Sequence, residues 1–145
     1  MFKHILLPTD GSPLSEAAMR KGIQFAKTIN ARVTGFCVGP ELRHFGFDAD
    51  IGPEFRKQAA AAVQTEVAKN LLAIEKAAKE AGVPCETDQE KSDQPYEAII
   101  AAAQKRQCDL IIMASHGRRG VQGLLLGSET QKVLTHSKIP VLVYR

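Results

Sequence analysis

Short apolar runs alternate along this chain with longer segments of mixed polarity. Ile5-Leu6-Leu7 is the first run, and Pro8-Thr9-Asp10-Gly11 ends it, the pattern of a buried strand that empties into a turn. A helix follows: Ser12 is placed to cap it, Pro13 fits its first position, and Glu16 favours its positive end. Leu14, Ala18, Phe25 and Ile29 share one face until Asn30 and Ala31 end it, and Val33–Val38 is a second strand. After Gly39-Pro40 the periodicity is lost through HFGFDADIGP. From Glu54 a long helix carries Val63, Val67, Leu71, Ile74, Ala78 and Ala81 at steps of four, four, three, four and three, and Gly82-Val83-Pro84 stops it.

Cys85–Asp88 predicts a weak strand, too polar to be central and so placed near a sheet edge. Asp93 and Pro95 introduce a helix carrying Ile99, Ile100 and Ala103. Leu110–Ala114 is a fourth strand, Ser128–Thr135 a fourth helix, and Val141–Tyr144 a last strand entered through Pro140, where no ladder donor is needed. The order β-α-β-α-β-α-β-α-β predicts a doubly wound α/β fold: an open parallel five-stranded sheet with helices on both faces and right-handed crossovers. At 145 residues, with no repeat or linker, the chain is expected to form one domain over 1–145.

In such a sheet a ligand sits beyond the carboxyl ends of the strands, where the winding reverses. Order 3-2-1-4-5 brings the loops after strands one and four into one crevice. Order 2-1-3-4-5 would pair the first loop with the bland Asp88–Asp93 segment, so the former is preferred. The loop after strand four is the more specialised: Leu110–Ala114 breaks into a small, glycine-punctuated segment that closes on Gly127-Ser128. Glycines let backbone N–H groups approach a phosphate, and a serine at a helix start adds a hydroxyl beside the positive dipole end. That chemistry suits a nucleotide or another phosphate.

Composition narrows the classes of function. Nineteen basic and sixteen acidic residues give a net charge of +3, mixed along the chain, with no Trp and two Tyr, a poor match to a nucleic-acid surface. Pro8 halts the first apolar run after three residues, which supports neither export nor a membrane segment. Cys37, Cys85 and Cys108, odd in number and without a C-x-x-C, read as small core residues of a reducing cytoplasm. His4, His44 and His136 lack zinc-ligand spacing, and His116 has no nucleophile tied to it. Neither a Walker loop nor G-x-G-x-x-G occurs, so P-loop hydrolysis and dinucleotide redox chemistry lack their devices. The run Gly123–Gly127 contains G-x-x-x-G but is far too short to span a bilayer, and reads as a packed turn over the ligand. Phe45, Phe47 and Phe55, near Asp48 and Asp50, fit either a partner surface or a cover over the chain's own core. Taken alone, Asp10-Gly11-Ser12 is a turn and helix cap, and Arg118-Arg119 a solvated pair.

Along its whole length the chain resembles the universal stress protein family. The resemblance is carried by HILLPTDGSPLSEAA from His4, by the terminal KIPVLVYR, and by SHGRRGVQGLLLGS from Ser115. The nucleotide-binding branch of that family has Gly, two residues, Gly, nine residues, then Gly followed by Ser or Thr. Gly117, the nine residues Arg118–Leu126, and Gly127-Ser128 match it, while Ala114 stands at the first glycine, adding a methyl and narrowing the backbone options. The resemblance implies an adenine-nucleotide alpha hydrolase-like fold and a cytoplasmic, ATP-binding stress-response protein. Asp10 would take the ribose hydroxyls, Pro8 and Thr9 would shape the wall with Met113 and Ala114, and the Val38 backbone would meet the adenine. Gly117, Arg118, Arg119, Gly127, Ser128, Glu129 and Thr130 would surround the phosphates, which would bring Mg²⁺ with them.

The expected output is ligand-dependent conformational or association change rather than catalysis. The rivals are a slow ATPase or phosphotransferase, with Ser128 or Thr130 as acceptor, and an interaction module without nucleotide. The last strand would lie at a sheet edge, apolar on successive residues and without internal Lys or Pro, so Val141–Arg145 is expected to pair with its twin in a homodimer, as the resemblance also implies.

Overall fold

A computed structural model describes residues 1–42, 52–118, 120 and 125–145. Its elements are β1 (His4–Thr9), α1 (Pro13–Ile29), β2 (Arg32–Gly39), α2 (Pro53–Ala81), β3 (Cys85–Lys91), α3 (Pro95–Lys105), β4 (Leu110–Ala114), α4 (Ser128–His136) and β5 (Val141–Tyr144). The five strands form a parallel sheet in the order β3-β2-β1-β4-β5. The alternating pattern thus yields the doubly wound architecture, with its winding reversed between β1 and β4.

Period-two alternation sorts the central strands onto two cores. Ile5, Leu7, Val33, Leu110 and Ile112 pack under α1 and α2 with Met19, Ile23 and Ile74. Leu6, Phe36 and Ile111 face the other way and meet Ile99 and Ala103 of α3 and Val133 of α4. The polar strand β3 occupies an edge, paired along its length with β2, where only one side needs a partner.

Among the differences from the sequence expectation, two are strand ends set by the backbone and one is the buried face of a helix. β1 continues through Pro8, which pairs with Phe36, because an extended proline gives up only the N–H it lacks. β3 runs to Lys91, carried by the β2 ladder rather than by side-chain burial. On α2 the buried line is Val67, Asn70, Ile74 and Ala78, with Leu71 only partly covered, so a polar residue holds a position the apolar series had assigned to its neighbour. The segment 43–51, which contains His44, Phe45, Phe47, Asp48 and Asp50, lies outside the described residues, as do Arg119, Gly123 and Leu124. Phe55 is exposed on α2.

At Gly35 of β2, α2 comes close to the sheet. A Cβ there would lie 2.8 Å from Ile74 Cδ1 and 2.9 Å from its Cγ2. At the amino ends of the strands, Asp109 accepts the backbone N–H groups of Lys3 and His4, tying the start of β1 to the residue before β4, and His4 Nε2 meets the buried Thr34 hydroxyl at 2.7 Å. Cys37 and Cys108 are buried and Cys85 half-buried, all three free. Burial raises each thiol, Cys108 to about 11, which keeps them protonated at neutral pH. No helix among the described residues is long and apolar enough to cross a membrane.

Two outcomes follow for stability. Gly35→Ala should cost about 1–3 kcal/mol by overpacking, and Ile74→Val should cost less in that background than in the native chain; thermal or urea unfolding of the four proteins checks the coupling. The His4 imidazole is held below its ordinary 6.5 mainly by burial, with Arg32 adding to the effect and Glu86 and Asp109 opposing it. The unfolded chain therefore takes up this proton first, so the fold loses stability as pH falls from about 7.5 through 6.5 and levels off below the folded-state value. His4→Gln should flatten that slope in denaturation curves recorded across the same range.

Candidate functional site

The helices that follow β1 and β4, α1 and α4, pack on opposite faces of the sheet, and the loops that lead into them open into a cavity of about 840 Å³. The loop after β1 is shaped by its own hydroxyls. Thr9 Oγ1 and Ser15 Oγ lie 2.8 Å apart, Gly11 N donates to the former and Asp10 N to the latter. Ser12 caps α1 by accepting from Ser15 N, and its own N–H donates to Asp10 Oδ1 at 3.0 Å. Gly11 turns the chain at φ +77°, and a Cβ there would lie 2.5 Å from Asn70 Oδ1 on α2.

Beyond β4 the chain is stitched back onto the sheet. Ser115 N donates to the Tyr144 carbonyl at 2.7 Å, Gly127 N donates to the Ser115 carbonyl at 2.6 Å, and the Thr130 hydroxyl donates to the Ala114 carbonyl at 2.9 Å. The start of α4 is thereby clamped to the end of β4. Arg118 N reaches across the opening to donate to Asp10 Oδ2 at 2.8 Å, and a Cβ on Gly117 would collide with that same oxygen. Close approach, not positive φ, is what these loop glycines provide: Gly117 and Gly127 both avoid the left-handed region.

Pro8, Thr9, Asp10, Val38, Met113, Ala114, Gly117, Arg118, Gly127, Ser128, Glu129 and Thr130 all border the cavity; Arg119 lies outside the described residues. Their individual capacities are unequal. The Gly127 N–H is already spent on Ser115, which leaves the amides of Ser128, Glu129 and Thr130, in the first turn of α4, without an intrahelical acceptor. The Glu129 carboxylate faces away from that turn: Oε2 accepts from Tyr96 N at the start of α3, and Oε1 pairs with Lys132. The Arg118 guanidinium pairs with Glu66 of α2 at 2.7 Å, both being partly exposed, so an anion arriving there competes with Glu66. Ala114 has ordinary strand backbone, so the missing glycine at that signature position takes away no conformation the chain uses.

Among the lining residues that the sequence pattern did not assign to the site, three carry polar or thiol chemistry beside Asp10 and Arg118. Glu66 and Asn70 lie one turn apart on α2, and Cys37 is buried on β2. Asn70 left a trace, an amide in the apolar line of a helix; Glu66 reads in sequence as one more solvated charge. Burial raises the Cys37 thiol, a hydrogen bond from Asn70 lowers it and Asp10 raises it further, so the net thiol is a poor nucleophile. Ser115 Oγ and His116 Nδ1 lie 2.9 Å apart. Among the described residues no cluster of three or more His, Cys, Asp or Glu is arranged to hold a metal ion.

A model of the universal stress protein family matches residues 1–145. Among relatives, the universal stress protein MJ0531 of Methanocaldococcus jannaschii is 31% identical over 145 residues, covering 100% of this chain and 83% of its own. The solved structure of MJ0577, a universal stress protein of the same organism, superposes with a TM-score of 0.82 at 29% identity, covering 99% of this chain and 95% of the other. A universal stress protein family member from Arabidopsis thaliana, solved with AMP bound, shares the fold at a TM-score of 0.69 and 14% identity, covering 97% and 90%.

The collision at Gly117 can be measured directly. Gly117→Ala should push Asp10 from Arg118 N, speed amide exchange at Arg118, and lower stability by about 1–3 kcal/mol. Unchanged exchange would remove Asp10 as the link between the loops.

Proposed function

The chain belongs to the universal stress protein family, and on that premise we propose that the cavity between the β1 and β4 loops binds an adenine nucleotide. One observation carries the proposal: the carboxylate of Asp10 and the first-turn amides of α4 border a single cavity of about 840 Å³, within the roughly 300–1,000 Å³ of small-molecule sites. A carboxylate accepts hydroxyl protons and a helix amino terminus accepts phosphate, so the two ends match a ribose and its phosphates. The AMP bound to the Arabidopsis thaliana neighbour supports an adenine nucleotide as the ligand class.

ATP is the fuller occupant. Its phosphates would lie along Gly117, Arg118 and the amides of Ser128, Glu129 and Thr130, with Mg²⁺ carried by the phosphates and water. The donor set fits that arrangement better than a protein-held ion, because both Glu129 oxygens are engaged elsewhere and both Asp10 oxygens accept backbone N–H groups. The protein acts by binding, not turnover: a phosphotransferase would need a base at the Ser128 hydroxyl, and the neighbouring Glu129 carboxylate points to Tyr96 N and Lys132. Occupancy changes conformation or association in a cytoplasmic stress response. The β5 edge, whose Leu142 is exposed, pairs with its twin to make a homodimer.

Isothermal titration with AMP and ATP, with and without Mg²⁺, tests the reading; no heat at millimolar ligand from folded protein removes it. Asp10→Asn should weaken binding about tenfold by exchanging a charged acceptor for a neutral one. Glu66→Gln should tighten phosphate-bearing ligands about two- to fivefold by freeing Arg118, and leave adenosine unaffected. Sedimentation that finds only monomer at micromolar concentration would sink the β5 dimer, and phosphate release that disappears with Ser128→Ala would favour an enzyme.

A further inference from the structure

Asn70 is a polar side chain in an apolar helix line, and its bonding among the described residues is weak. It lies in the apolar line of α2, between Val67 and Ile74, and is only 9% exposed. A buried amide ordinarily finds strong partners, since leaving one unsatisfied costs more than an apolar side chain of the same shape. Among the described residues, Asn70 makes one hydrogen bond, from Nδ2 to the Cys37 sulfur at 3.9 Å, a weak acceptor at long range. The amide borders the large cavity, with its Oδ1 against the backbone of Gly11, the residue after Asp10.

We propose that Asn70 is a ligand-binding residue whose amide hydrogen-bonds a ribose hydroxyl of the nucleotide and so sets a preference for ribose over deoxyribose. The proposal rests on the nucleotide reading above and adds a residue to it. Its chemical basis is a deficit at Asp10. A carboxylate only accepts, and both Asp10 oxygens already receive backbone N–H groups, from Ser12 and Arg118. A ribose hydroxyl that gives its proton to Asp10 enters the cavity with its own lone pairs stripped of water. Asn70 supplies the missing donor through Nδ2 and, through Oδ1, an acceptor for a second hydroxyl. The adjacent Cys37 thiol, kept protonated by burial, offers neither function at comparable strength. A purely structural role on this helix line would be met better by leucine, whereas an amide suits a helix face that meets a polar guest in the cavity.

Titration of AMP, 2′-deoxy-AMP and 3′-deoxy-AMP into the native chain, Asn70→Leu and Asn70→Ala tests this, with thermal melts to confirm folding. The native chain should prefer AMP to at least one deoxy analogue, and in both variants that preference should shrink about tenfold while binding of that analogue stays nearly constant. Equal weakening of all three ligands, which a packing role predicts, overturns the proposal, as does an unchanged preference. A native chain that binds none of the three overturns the nucleotide reading and this one with it, whereas AMP binding that is indifferent to Asn70 overturns this one alone. In the native chain, the Asn70 side-chain amide resonances should shift with AMP and stay in place with 2′,3′-dideoxy-AMP; shifts of equal size with both ligands refute it even if neither variant folds.

Discussion

The carboxylate of Asp10 accepts N–H groups from two loops that are far apart in sequence, Ser12 on its own turn and Arg118 from 108 residues away. The two site loops are joined through that pair of bonds. Gly117 must lack a Cβ because the carboxylate fills the space beside it, and Gly11, which turns left-handed, has no room for one because Asn70 fills the space beneath. With Asp10 fixed between them, the loops after β1 and β4 form opposite walls of one cavity. A charge-assisted contact of this kind is short, directional and stronger than a neutral one, which suits it to holding an opening of constant shape.

The same contact explains why the site is economical with charge. Arg118 spends its backbone on Asp10 and its guanidinium on Glu66, and Glu129 spends its carboxylate on the start of α3. What is left for an anion is mostly backbone: the first amides of α4, held in place because Gly127 and Thr130 are bonded to the end of β4. Backbone amides anchored by a sheet are pre-organised and lose little freedom on binding, whereas exposed side-chain ion pairs are screened and mobile. A polar amide on α2, lining the same cavity as Asp10, completes a lining in which hydrogen-bond donors and acceptors matter more than net charge.

Much of this is legible in the sequence. Ser12 and Pro13 announced the start of α1 because capping is a local interaction within a few residues, and the spacing from Gly117 to Gly127-Ser128 marked the β4 loop. The polarity of Cys85–Asp88 placed β3 at an edge, since a central strand would bury both of its faces. The extension of β1 through Pro8 was not legible, because it depends on which backbone groups the neighbouring strand requires. Glu66 was not legible either: nothing within a helix turn of it indicates that Arg118 waits across the cavity.

The sequence by itself determined the alternation of elements, the two-sided burial of the central strands and the chemistry of both site loops, because each of these is set by residues within about one turn or one strand of each other. Only the tertiary structure decided which of those groups remain available. It gave the Gly127 amide to Ser115 and the Glu129 carboxylate to Tyr96, and it brought Asn70 from the middle of α2 to the cavity beside Asp10. Hydrogen-bond capacity is a property of a residue; whether it is satisfied depends on neighbours that the chain reaches only by folding.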